Sequence, residues 1–158
     1  MYSPDILNKY FKRSYFAVDG LWFMKVEEMY GFDSALNIDV KVWEILPKIQ
    51  AREVRKLLMI KDDGIEPLFK ALQLKLEAEG YVYSIDHKQG VIEIRQCPWI
   101  KLLEKSGRTH LKEKIGGVIC STEFRTWGGE FNVSGFKLDN RGCCEGGNCR
   151  LFFSNQSE

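Results

Sequence analysis

The chain has 158 residues, of which 44% are hydrophobic and 13% aromatic, with 23 lysines and arginines against 22 acidic residues. That is enough apolar material for the core of one domain, which argues against disorder, and enough aromatic surface to wall a ligand pocket. A formal net charge of +1 sets up no overall field that would draw the protein to nucleic acid or an anionic membrane, so neither partner is expected.

Met1-Tyr2-Ser3-Pro4-Asp5 lacks the basic and apolar regions of an export signal. No later apolar run approaches the roughly 20 residues needed to cross a bilayer. The protein is therefore expected in the cytoplasm. From Pro4 to Tyr30, the residues Leu7, Phe11, Tyr15, Val18, Trp22, Val26 and Met29 recur at three- or four-residue spacing, the signature of an amphipathic helix that Gly31 ends. Asp33 and Ser34 are good caps for a second helix running through Leu36, Val40, Trp43, Leu46, Val54 and Leu57, which Pro47 should kink or divide. After the turn at Asp62-Asp63-Gly64, a third helix carries Leu68, Leu72 and Leu76 and closes at Gly80.

The period then changes. Residues 81–85 and 91–95 are β-rich runs on either side of His87-Lys88-Gln89-Gly90 and predict a hairpin. A short helix follows Cys97-Pro98 and stops at Ser106-Gly107, and a further helix is expected from Ile115 to Trp127, with Gly116 and Gly117 weakening its start. Two more strands, Phe131 to Leu138 and Cys149 to Phe153, flank the glycine-rich cysteine segment, so a second hairpin should turn there. The order predicts a single α+β domain over 1–158: mostly helical over 1–80, then two β-hairpins with intervening helices over 81–154, forming a four-stranded antiparallel sheet.

Five cysteines are an odd number, and reducing cytosol does not sustain ordinary structural disulfides, so thiols or metal ligands are the better reading. In Cys144-Glu145-Gly146-Gly147-Asn148-Cys149, glycines let the backbone fold around an ion while the thiolates act as soft ligands for zinc or iron. Cys97, Cys120, Cys144 and Cys149 form the candidate metal set, and Cys143 or Glu123 can substitute. Glu123 lies three residues after Cys120 on the same helical face. Buried cysteines also serve as small core residues, the alternative for Cys97 and Cys120. His87 and His110 have no partner at ligand spacing and are expected on the surface.

Asp19-Gly20-Leu21-Trp22-Phe23, Val26-Glu27-Glu28, Tyr30-Gly31, Val42-Trp43 and Ala51-Arg52 resemble a prokaryotic family grouped with L-2-amino-thiazoline-4-carboxylic acid hydrolase-like proteins. Cys97-Pro98, Cys120-Ser121-Thr122-Glu123-Phe124 and the glycine-rich segment before Phe152 resemble the 4-vinyl reductase domain. That second resemblance implies a fold like the haem nitric-oxide-binding domain and the transport-particle subunits: helices packed on a four-stranded antiparallel sheet around a hydrophobic pocket. It also implies zinc on Cys120, Cys144 and Cys149. An acidic ligand comes shortly before the second of these in the relatives, where this chain has Asp139. A haem role is disfavoured, because neither histidine lies in the helical, apolar setting of a proximal ligand.

Two classes of function follow. One is a domain that binds a small apolar or aromatic molecule in a pocket lined by Phe16, Asp19, Trp22, Phe23, Trp43 and Trp127, stabilised by cysteine-held zinc. The other is catalytic: a metal-dependent hydrolase of a small amide or cyclic amidine, with Asp19, Glu27 or Glu123 moving protons, or an iron–sulfur redox protein on the four cysteines. Cysteine-rich zinc sites are usually closed, which favours the first class. Arg52, Arg55 and Lys56, interleaved with Glu44 and Glu53, suggest a solvated helix face. Exposed aromatic surface on the long helices makes a homodimer an expectation.

Overall fold

A computed structural model describes residues 1–140 and 148–155. Helix α1 (Pro4–Tyr30) begins where the Ser3 side chain accepts a hydrogen bond from the Ile6 amide and Pro4 supplies a helical φ without needing a donor. It ends at Gly31, whose φ of 84° and ψ of 163° suit glycine alone, and whose N–H donates to the Glu27 carbonyl at 2.8 Å. The chain reverses there, and α2 (Phe32–Trp43) packs back along α1. Gly31 serves as the N-cap of α2 without a side-chain bond, so Asp33, expected as a cap, instead sits in the first turn, where its charge favours the helix dipole.

The second predicted helix is divided at Glu44–Ile45, as Pro47 suggested. The helix α3 (Leu46–Leu57) restarts with that proline in its first turn, where its missing N–H breaks no helical bond. Next, α4 (Ile65–Glu79) ends on left-handed Gly80, and the Gly80 and Tyr81 amides both donate to the Leu76 carbonyl. Strands β1 (Val82–Asp86) and β2 (Val91–Gln96) form the expected hairpin. Asp86 Oδ1 accepts from the Lys88 and Gln89 amides at 3.0 and 3.1 Å and shapes its turn. Gly90 is required there, because its φ is +66° and an added Cβ would meet the Phe153 carbonyl oxygen at 2.4 Å.

Helix α5 (Pro98–Lys105) is followed by a single 3₁₀ turn at Thr109–Leu111 and by α6 (Lys112–Gly129). The last helix thus begins before Ile115 and carries the glycine pair inside it. Strand β3 (Gly135–Asp139) is shorter than its apolar run implied. Phe131 and Val133 are buried in a turn, their amides both bonded to the Gly128 carbonyl at 3.0 Å, so apolar character here reflects burial without a strand. Strand β4 (Cys149–Ser154) pairs with β3 from Gly135↔Ser154 to Asp139↔Arg150. The segment expected to turn between them, including Cys143 and Cys144, lies outside the described residues.

All pairings are antiparallel and the strand order is β1-β2-β4-β3, with helices packed against the sheet in an α+β architecture. The main core joins Leu68, Phe69, Leu72 and Leu76 of α4 to Ile92, Ile94, Leu151 and Phe153 of the sheet and to Phe124 and Trp127 of α6. A second cluster joins Phe23 and Val26 of α1 to Ala35, Leu36 and Trp43 of α2 and Ile119 of α6. Trp99 packs against both. No helix among the described residues is long and apolar enough to cross a membrane.

Candidate functional site

The two cores do not close on each other. Between them lies a cavity of about 390 Å³, walled by α1, α2, α5, α6 and the near end of the sheet. The sequence of α5 explains part of this. Its apolar side chains Trp99, Ile100, Leu102 and Leu103 all face the cavity, yet no residue of the helix is fully buried. The helix turns its apolar face to a space instead of to packed side chains. On the opposite wall, Gly116 of α6 leaves room where a Cβ would meet nothing within 4 Å. Arg13, Leu21 and Met24 of α1 line the cavity and also reach solvent, which places its mouth along that helix.

Aromatic rings concentrate around Trp99. Its ring centroid lies 4.4 Å from that of Phe16, 5.7 Å from Tyr15 and 5.7 Å from Trp43, each in an edge-on arrangement. The Trp99 indole N–H and the Tyr15 hydroxyl are buried there without a hydrogen-bond partner among the described residues. An unmade bond of that kind costs about 1–3 kcal/mol.

The polar part of the wall is acidic. Asp19 of α1 makes no hydrogen bond or ion pair among the described residues. Burial first, then the charges of Asp39, Glu123 and Glu79, push its carboxyl up to about 7 from 3.8. Asp39 of α2 is 8% exposed; burial lifts it to about 6 against the opposing effect of a hydrogen bond from Trp43. Glu123 of α6 also lines the cavity but is tied to Lys75 of α4, whose Nζ lies 2.8 Å from Glu123 Oε1 and 2.8 Å from Glu79 Oε2. Burial alone would lower the Lys75 pKa, but the two carboxylates outweigh it and the ammonium is held charged. Of the other cations at the cavity, Arg108 pairs with Glu27 and Lys112 with Glu104.

The structure gathers four of the six residues expected to form a pocket: Phe16, Asp19, Phe23 and Trp43 all line the cavity. Trp22 instead points outward, 59% exposed, one helical position from the stripe that faces in. Trp127 is fully buried in the main core, stacked on Phe131 at 6.5 Å. Sequence reasoning missed Asp39, Trp99 and Leu102. Asp39 had a usable signal, since Leu36, Asp39 and Trp43 fall at helical spacing on one face of α2.

Cys97, at the N-cap of α5, Cys120 on α6 and Cys149 at the start of β4 border the same cavity. Cys97 and Cys120 are free thiols, both pushed up chiefly by burial and so held protonated near neutrality. Cys149 is disulfide-bonded. Among the described residues no three histidine, cysteine or acidic side chains are grouped to hold a metal ion. Cys143 and Cys144, the remaining cysteines of the expected set, lie outside those residues, and Asp139 closes β3. The described residues alone therefore do not fit a zinc or iron–sulfur centre.

Neither histidine lines the cavity. The exposed His87 ring meets Glu66 at 2.8 Å. On α3, Arg52 and Lys56 are exposed, as a solvated face implies, whereas Arg55 is largely covered. Arg52 forms two bonds to Glu130 at 2.9 and 3.1 Å, and the guanidinium of Arg55 lies 4.1 Å above the Phe131 ring.

Fold and site together define an α+β domain with an internal, largely apolar cavity. Residues 4–125 match the model of a family of unknown function, DUF6125, and the chain belongs to that family. The matched span holds the helical walls of the cavity as far as α6 and stops before β3 and β4. No curated protein and no solved structure matches the chain. A family of unknown function carries no activity, substrate or metal across to this chain.

Proposed function

We propose that the chain is a small-molecule-binding domain whose ligand fills the cavity between the two cores. The observation that carries this reading is the cavity itself: about 390 Å³, walled mainly by aliphatic and aromatic side chains, with a few polar groups converging on it. At about 30 Å³ per water-sized group, that space takes a compact molecule of about a dozen non-hydrogen atoms. One further feature supports it: the α5 helix leaves an apolar face unpacked.

Trp43 and Trp99 at the wall provide the readout. Titration with n-octanol should shift tryptophan emission saturably and raise the melting temperature, by about 2.7 kcal/mol of added stability at a hundredfold excess over Kd. Gly116→Leu places a side chain into the open space of α6 and should abolish both responses while the protein stays folded. Saturable binding that survives Gly116→Leu unchanged, or no response to octanol or to other apolar molecules of similar size, would overturn the reading.

A further inference from the structure

We propose that the cavity selects an organic cation: a compact apolar molecule bearing one amine, whose ammonium group lies between Asp19 and Asp39 beside the rings of Phe16, Trp43 and Trp99. This deepens the ligand-binding reading above and rests on it. Charged and titratable groups face the cavity from each of its elements. From α1 come Arg13 and Asp19, from α2 Asp39, from α4 Lys75 and Glu79 just behind the wall, and from α6 Lys112, Cys120 and Glu123. Arg108 precedes the 3₁₀ turn, and Tyr81 and Cys97 flank the first hairpin. Arg108 and Lys112 are each taken by a glutamate, Arg13 stands at the solvent-exposed mouth, and Lys75 is shared by Glu79 and Glu123.

Three carboxylates on the wall, Asp19, Asp39 and Glu123, and Glu79 behind it thus stand against one buried ammonium, Lys75. Asp19 and Asp39 have no cation among the described residues. An anionic ligand would add to the repulsion these groups already exert on one another. A neutral ligand would leave it in place. A monovalent cation relieves it, and in a desolvated site such a pairing is stronger than at a surface. The aromatic rings add to the selection, because ring faces attract an ammonium by about 0.5–2 kcal/mol, more when water is excluded. A metal ion is less well suited, since the site offers it no group of three ligating side chains among the described residues.

Protonation gives the proposal a second signature. With Asp19 pushed up to about 7 and Asp39 to about 6, both carboxylates are largely ionised at pH 8 and largely neutralised at pH 5. Amine affinity should therefore rise with pH across that interval, while the affinity of an uncharged ligand of the same shape should not.

The test is calorimetric titration of the whole chain with octylamine, octanol and octanoate, which share one apolar tail. Measurements at pH 8 and pH 5 should compare wild type with Asp19→Asn and with Asp19→Asn/Asp39→Asn. At pH 8 octylamine should bind wild type at least tenfold more tightly than octanol, with octanoate weakest. The double variant should bring octylamine to within about twofold of octanol. Lowering the pH to 5 should weaken octylamine several-fold and octanol hardly at all. The proposal is overturned if octanol or octanoate binds wild type as tightly as octylamine, or if the preference for amine survives in the double variant. Failure of all three ligands to bind any of the proteins would refute the ligand-binding reading itself and this proposal with it. Both substitutions remove a buried carboxylate, so the variants are expected to fold at least as stably as wild type.

Discussion

Helices α4 and α1 lie on the same body but are used in opposite ways. In its 15 residues α4 buries seven side chains, including Leu68, Phe69, Leu72 and Leu76 in the main core, together with the charged Lys75 and Glu79. At 27 residues α1 fully buries Phe23 and Val26 alone. One of its faces borders the cavity, and the other leaves Phe11, Val18, Trp22 and Met29 in solvent. Close packing on α4 brings its buried ammonium, Lys75, into contact with two carboxylates, Glu79 and Glu123. On α1, loose packing tolerates an unpaired Asp19, because the space beside it is open. The contrast separates a scaffold from a wall: stability resides in the first and binding in the second.

The contrast breaks most visibly at Lys75. Lys75→Met removes the cation from between two buried carboxylates and should destabilise the protein by about 3–5 kcal/mol, measured by chemical denaturation at neutral pH. A loss below about 1 kcal/mol would mean that the dense side of the molecule does not depend on that neutralisation.

Asp19→Asn should act in the other direction. The folded-state carboxyl is held at about 7 against an ordinary 3.8, so between those values the native chain binds more protons than the unfolded one. Stability therefore falls as pH rises through that window. The substitution should raise stability by about 2 kcal/mol at pH 8 and have little effect at pH 4, checked by melting curves at both. A destabilised Asp19→Asn would place a missing partner on Asp19 and undo the description of α1 as an unneutralised wall.

Two smaller effects sharpen the comparison. Gly116→Ala adds a methyl group to open space inside α6 and should stabilise by about 1 kcal/mol through helix propensity, read as a shift in denaturation midpoint. Trp22→Ser on the outer face of α1 should change monomer stability by no more than about 0.5 kcal/mol. A larger loss that depends on protein concentration would show that a second chain covers that face, the homodimer expected from the sequence.

The main core was largely legible from the sequence, because α4, the first hairpin and β4 carry regular apolar spacing and each end is marked by glycine, proline or an aspartate turn. The inner face of α1 was legible only in part: Phe16, Asp19 and Phe23 were expected at a pocket and line the cavity, but the helical period did not single them out. Paired apolar residues such as Tyr10-Phe11, Tyr15-Phe16 and Trp22-Phe23 create two overlapping stripes, and period alone favoured the one through Phe11, Val18, Trp22 and Met29. The stripe that faces inward runs through Phe16, Asp19, Phe23 and Val26, and its carboxylate disguises it as a polar interruption. Buried charges posed the same difficulty at Lys75 and Asp39, which occupy apolar positions in their helices. A pocket was expected from the aromatic content and the family resemblance, but the apolar period could not place its walls. Apolar spacing reveals which side chains leave water, but not whether the surfaces they form meet one another. The metal expectation depended on bringing together four cysteines, and one of them, Cys144, lies beyond the described residues.

The strand order also has a consequence for biosynthesis. Strand β4 is the last of the four in the chain, yet it sits inside the sheet and joins β2 to β3. A ribosome that has not yet passed Cys149 holds a nascent polypeptide with most of its helices made and the hydrogen-bonding edge of β2 unsatisfied. Such an edge recruits other extended segments, so this intermediate is a natural client for chaperones and a point at which stalled or truncated products would aggregate. The Phe153 amide donates to the Gly90 carbonyl at 2.8 Å and ties the final strand to the first hairpin.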